Sequence, residues 1–160
     1  MPAGGEAGPD RQYQGLSMPY RFREDIAPAD VAFEAWGKTR EELFSACAEA
    51  LLATMVEEPE EVVRCREVPI SLEDTELDLM LVAFLQELIF CKDARRLLLH
   101  ADQVRIVRQN GGFGLEALAA GEEIDRGRHR LAVDVKAVTL FHLRVVREDD
   151  LWKATVVLDV

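Results

Sequence analysis

"RLAVDVKAVTLFHLRVVREDDLWKATVVLDV" (residues 130–160) reads as two strands joined by a turn at Asp149-Asp150, and with that reading a sheet becomes the frame of the fold. On the first strand Val133, Val135, Ala137, Thr139, Phe141, Leu143 and Val145 share one nearly apolar face. Asp134, Lys136, Val138, Leu140, His142 and Arg144 take the other. A lysine thus stands at the centre of a strand. Two roles are open to it: counter-charge to Asp134, two residues away on its own face, or functional cation among nearby carboxylates.

Moving toward the N-terminus, "VRIVRQ" (104–109) and "FGLEALAA" (113–120) also alternate as strands. Turns follow at Asn110-Gly111-Gly112 and around Asp125 to Arg128. Before them, "DTELDLMLVAFLQELIFCKDARRLL" (74–98) is a helix whose apolar positions nearly surround it, which predicts the central, buried helix. "VVRCREVPISL" (62–72) is a strand whose Pro69 confines it to an edge or a strand end. Thr39 with Glu42 has the capping-box spacing, and Leu43, Ala46, Cys47, Ala50, Leu51, Thr54 and Met55 then recur at helical intervals. "YRFRED" and "DVAFEAW" are short strands on either side of an Ala27-Pro28-Ala29 turn. Residues 1–18 carry Gly and Pro without periodicity, a pattern expected of a disordered leader. The expectation is an α+β single domain over residues 19–160, two helices packed on one face of a largely antiparallel β-sheet.

At 160 residues and 49% hydrophobic composition, the chain suffices for one domain with a core. A net charge of −11 disfavours bare electrostatic binding to DNA or RNA, so contact with RNA is expected only locally or through a partner. Cys47, Cys65 and Cys91 lack C-x-x-C spacing and lie in apolar segments, which predicts buried thiols in a reducing compartment and a cytoplasmic location. The longest apolar stretch carries Glu76, Asp78, Gln86 and Glu87, so no membrane association is expected.

No Gly-rich phosphate loop, nucleophile elbow, Cys/His zinc spacing or H-E-x-x-H is present. What remains is polar residues at strand ends. Asp30 has a structural reading as acceptor of turn N–H groups. Asp159 closes an apolar strand beside the carboxylate of Val160, where two negative charges repel unless a cation lies between them. Such an oxygen set suits Ca²⁺, Mg²⁺ or Mn²⁺ rather than zinc. Glu122 and Asp125 lie in the "GEEID" turn with His129 after it; histidines such as His129 and His142 are most often solvated or hydrogen-bonded without further role. Glu87, on a nearly all-apolar helix, is expected to be partnered or at the surface.

Four blocks together resemble archease: "ADVAFEAWGKTREELFSACAEALLATM", "ELDLMLVAFLQELIF", "GEEIDRGRHRLAVDVKAVT" and the closing "VVLDV". Members of that family assist the tRNA-splicing RNA ligase that joins a 2′,3′-cyclic or 3′-phosphate end to a 5′-hydroxyl. The resemblance spans nearly all of the chain after the leader. It implies a non-catalytic partner that promotes guanylylation of the ligase and its multiple turnover, with RNA met through the ligase. It also implies a divalent metal site on Asp30 and Asp159 with backbone oxygens near Val160, and a functional cation at Lys136. Glu122, Asp125 and His129 would support that site. The family's helix motif falls on Phe84-Leu85-Gln86-Glu87-Leu88-Ile89.

Two departures stand out. The family's H-T-A-D is Ala27-Pro28-Ala29-Asp30, and its Tyr-His after V-K-A-V-T is Leu140-Phe141, with His142 one residue further on and so on the opposite strand face. Two other classes compete with the accessory reading. One is a metal-dependent phosphoester hydrolase built on Asp30, Asp159 and Lys136, for which no general base beside a nucleophile is evident. The other is a general chaperone or RNA-processing adaptor without a fixed metal.

Overall fold

The computed structural model describes residues 19–27 and 29–160. The leader and Pro28 of the expected turn lie outside them. The order is β1 (Tyr20–Phe22), β2 (Val31–Gly37), α1 (Arg40–Met55), a 3₁₀ turn (Pro59–Glu61), β3 (Arg66–Asp74), α2 (Leu77–Arg95), β4 (Leu97–Gln109), β5 (Gly112–Glu123), β6 (Ala137–Glu148) and β7 (Leu151–Asp159).

The fold is α+β, with strands that are antiparallel throughout but divided between two sheets, β1-β2-β7-β6 and β3-β5-β4. α1 packs against β2 of the first sheet and β4 of the second, and α2 against the second sheet and β6. The helices are therefore enclosed between two sheets instead of lying on one. This reverses the expected order of burial. α1 buries Leu43, Phe44, Ala46, Cys47, Ala48, Ala50, Leu51 and Leu52 nearly all round its axis, whereas α2 leaves Leu79 and Phe90 exposed. Phe44 and Phe84 meet between the helices with ring centroids 5.6 Å apart.

Local signals hold at the start of α1, where Thr39 Oγ1 accepts the Glu42 N–H at 3.0 Å. Pro69 lies in β3, an edge strand, opposite Leu118 of β5, where a missing donor is tolerated. α2 stops earlier than its apolar run: Arg96 adopts the left-handed conformation (φ 55°), and Leu97 and Leu98 begin β4. Cys47 and Cys91 are buried, while Cys65 is exposed on the approach to β3.

The strand expected over 130–147 is not continuous. Residues 132–136 lie outside any strand, and β6 begins at Ala137. Within β6 the pairing jumps from Thr139–Val157 to Arg144–Thr155, so five steps on β6 answer two on β7. An excess of three is odd, and an odd excess exchanges the faces. Val138 consequently packs on the core, as Val145 does beyond the bulge, while Leu140 and Phe141 are carried out to solvent. His142 sits in the bulge with φ 57°, its ring 4.1 Å from that of Phe141.

Candidate functional site

β2 starts, β7 ends and β6 starts at the same end of the four-stranded sheet. Val31 pairs with Leu158, so Asp30, one residue earlier, comes opposite Asp159, one residue later. On the other side of β7, Ala137 pairs with Asp159, and the Lys136 N–H donates to the Asp159 carbonyl oxygen at 2.8 Å. Three residues far apart in the chain thereby converge through sheet register alone. Asp30 lies in the bend just before β2 and Asp159 is the last residue of β7, so both flank the final registered pair, Val31 with Leu158.

The ammonium of Lys136 is exposed and pairs with no carboxylate among the described residues. Asp134, considered as its counter-charge, is taken by a different lysine. Lys92, buried on α2, donates to Asp134 Oδ1 at 2.6 Å, to the Val135 carbonyl oxygen at 2.8 Å, and lies 2.7 Å from Asp93 Oδ1. Burial pulls the Lys92 pKa down, but Asp134 and Asp93 outweigh it and hold the ammonium above its ordinary range. On the same helix Gln86 Oε1 accepts the Val138 N–H at 2.5 Å. α2 therefore grips the chain on both sides of Lys136. Glu87 is half-buried, consistent with neither a core acid nor a fully solvated one.

Glu122, Asp125 and His129 form a closed network. Glu122 is the penultimate residue of β5, not part of a turn as expected. Its Oε2 accepts the Val63 N–H at 2.7 Å and contacts His129 Nε2 at 3.0 Å, while Oε1 pairs with Arg128. The Asp125 N–H donates to His129 Nδ1 at 2.9 Å, so the proton that faces Glu122 sits on Nε2. Burial raises the Glu122 carboxyl, but the Val63 N–H, Arg128 and His129 outweigh it and hold it at about 2. These bonds join the 61–63 segment to the 125–129 turn; none of them reaches Asp30, Lys136 or Asp159.

As to metal, among the described residues no three His, Cys, Asp or Glu side chains form a group that could hold an ion. Asp30 and Asp159 would supply two carboxylates, with main-chain oxygens to complete the set, and Glu24 and Thr54 line the same hollow as Asp30. Such a set suits a hard cation, not a soft one.

Sequence reasoning missed Lys92 and His100. His100 is 1% exposed, with Nδ1 3.0 Å from Glu49 Oε1 and Nε2 2.9 Å from the Val62 carbonyl oxygen. Lys92 had a visible signal, since it lies one helical turn from Leu88 and Ile89 on the apolar stripe of α2.

With this geometry in place, comparison with known proteins is decisive. The model of the archease protein family matches residues 20–160. The chain belongs to the archease family. It is 36% identical over 137 residues to the archease of Thermococcus gammatolerans, covering 82% of this chain and 93% of that one. It is 34% identical over 147 residues to the archease of Methanopyrus kandleri, covering 89% of this chain and all of the relative. The solution structure of Methanobacterium thermoautotrophicum protein 1598 has the same fold, with a TM-score of 0.76, 33% identity, and coverage of 89% of this chain and 99% of that one. An archease from Thermotoga maritima, called a possible chaperone, shares the fold at a TM-score of 0.55 and 20% identity, covering 82% of this chain and 91% of that one. Among the described residues no helix of this archease-family chain is long and apolar enough to cross a membrane.

Proposed function

We propose that this chain is a non-catalytic accessory factor of an RNA ligase, promoting guanylylation of that enzyme and its repeated turnover in tRNA splicing or RNA repair. The observation that supports this reading is the convergence of Asp30, Asp159 and Lys136 at one sheet end, beside a lysine clamp that orders the segment leading to Lys136. An accessory protein leaves the equilibrium of ligation unchanged and acts on a barrier. A divalent ion held by Asp30, Asp159 and main-chain oxygens near Val160 would supply positive charge to phosphate oxygens on the partner. Lys136 presents a second cation, and its exposure lets it enter a neighbouring protein's site. The net charge of −11 suits association with a basic RNA-binding cleft, an attraction that weakens as salt rises.

The test is multiple-turnover ligation by the cognate ligase with GTP and a divalent metal, in the presence of wild type, Lys136→Ala or Asp159→Ala. Wild type sustains turnover beyond the first round and both folded variants lose that effect. A wild-type protein that leaves turnover unchanged overturns the reading. Phosphodiester cleavage by the purified protein alone with Mg²⁺ or Mn²⁺ would replace it with the hydrolase.

A further inference from the structure

A cavity of about 500 Å³ lies between the C-terminal end of α2 and residues 124–134. Its walls are largely aliphatic, from Met55, Leu98, Ile124, Leu131 and Val133. Its charged residues are Lys92, Arg96 and Arg126 against Asp93 and Asp134. That balance is net positive in a chain of net charge −11. By contrast a cavity of about 910 Å³ beside α1 is lined by five carboxylates and two cations.

The two carboxylates in the smaller cavity are already committed. Lys92 spends its three protons on Asp134, Asp93 and the Val135 carbonyl. Arg96 and Arg126 are left with no ion pair among the described residues. Both hang from pinned backbone. Arg96 caps α2, its N–H bonded to the Cys91 carbonyl and its own carbonyl accepting the Ile124 N–H at 2.8 Å. Arg126 follows Asp125, whose side chain accepts the Gly127 N–H at 3.0 Å and whose carbonyl accepts the His129 N–H at 2.6 Å. Two unpaired arginines lining one partly aliphatic hollow match an anion that carries two charges and an apolar part.

We propose that this cavity binds a small organic phosphomonoester, its phosphate between Arg96 and Arg126 and its apolar body against Ile124, Leu131 and Val133. The volume falls in the range of small-molecule sites, about 300–1,000 Å³. The wall made by Leu131, Val133 and Asp134 runs directly into Lys136; the cavity shares the Lys92–Asp134 clamp with the site proposed above but none of Asp30, Lys136 and Asp159. The cavity stands whether or not the ligase reading does.

The experiment is calorimetric titration of the full chain with AMP and inorganic phosphate, together with amide chemical shifts. AMP binds saturably with a Kd at or below about 1 mM, a free energy near −4.1 kcal/mol. The Ile124, Leu131 and Val133 amides shift, and inorganic phosphate binds at least about tenfold more weakly for want of the apolar contact. Arg96→Ala and Arg126→Ala, both at exposed positions, each weaken AMP about tenfold, as expected for loss of a charge-assisted bond. No saturable AMP binding, shifts confined to other surfaces, or an unchanged Kd in the double variant would each overturn the proposal. Tighter binding of inorganic phosphate than of AMP would do the same.

Discussion

Lys92 Nζ lies 2.6 Å from Asp134 Oδ1 and 2.8 Å from the Val135 carbonyl oxygen, and so holds the main chain immediately before Lys136. The two bonds differ in what their loss exposes. Val135 is fully buried, whereas the Asp134 side chain is 75% exposed. Lys92→Met leaves the Val135 carbonyl without its donor and costs about 1–3 kcal/mol. Asp134→Ala removes a solvent-screened partner and costs less than about 1 kcal/mol. Thermal denaturation of the two variants distinguishes them, and equal losses would refute the assignment.

Acid stability turns on Glu122. Its folded carboxyl is held at about 2, against about 4.3 in the unfolded chain. A depressed carboxylate contributes stability that is complete above the unfolded value and is lost as pH falls through the folded one. Glu122→Gln therefore melts lower than wild type at pH 7, and the gap closes between about pH 4.3 and 2. Calorimetry across that interval checks the closing of the gap.

His100 carries the opposite sign. Burial lowers its pKa, but Glu49 and the Val62 carbonyl outweigh burial and the opposing Arg64 charge, raising it above the usual histidine value. Its contribution is complete below the unfolded value, about pH 6.5, and disappears as pH rises through the folded value above it. Wild type should lose melting temperature over that alkaline-going interval. Glu49→Gln removes the main upward pull and flattens the profile, and an unflattened profile in that variant would place the titration elsewhere.

Gly121 of β5 lies against the Leu98–Leu99 main chain of β4. A Cβ there would stand 1.7 Å from the Leu98 carbonyl oxygen. Main chain cannot yield as a flexible side chain does, so Gly121→Ala separates the strands and costs about 3 kcal/mol or more. Gly111→Ala is the comparison: nothing lies within 4 Å, and only its φ of +76° opposes the change. That costs about 1 kcal/mol. Urea melts of both variants give the contrast directly, and near-equal midpoints would argue against the close approach.

Legibility followed the range of the interaction. The capping box at Thr39 and Glu42, the α1 run, Pro69 on an edge and the turns at Asn110 and Asp149 all rest on contacts within a few residues, and each was readable as written. The end of α2 was not. Leu97 and Leu98 continue the apolar pattern, and only the left-handed Arg96 and pairing with β5 turn them into a strand. The site shows the same division. Asp30 and Asp159 are legible as polar residues at strand ends, but Lys136, expected at mid-strand, precedes β6, and its ionic surroundings are not legible either: Asp134 belongs to Lys92, 42 residues away.

By itself the sequence determined the classes of element, their order, the apolar inventory of the core and, through four separated blocks, membership of the archease family. Tertiary structure alone decided that the strands form two sheets around α1, that three extra residues in β6 exchange its faces, and that β2, β6 and β7 bring Asp30, Asp159 and Lys136 to one end. The physical reason is that strand register and bulges are set by partners distant in sequence. Periodicity shows that a side chain alternates, but only pairing shows which way it faces.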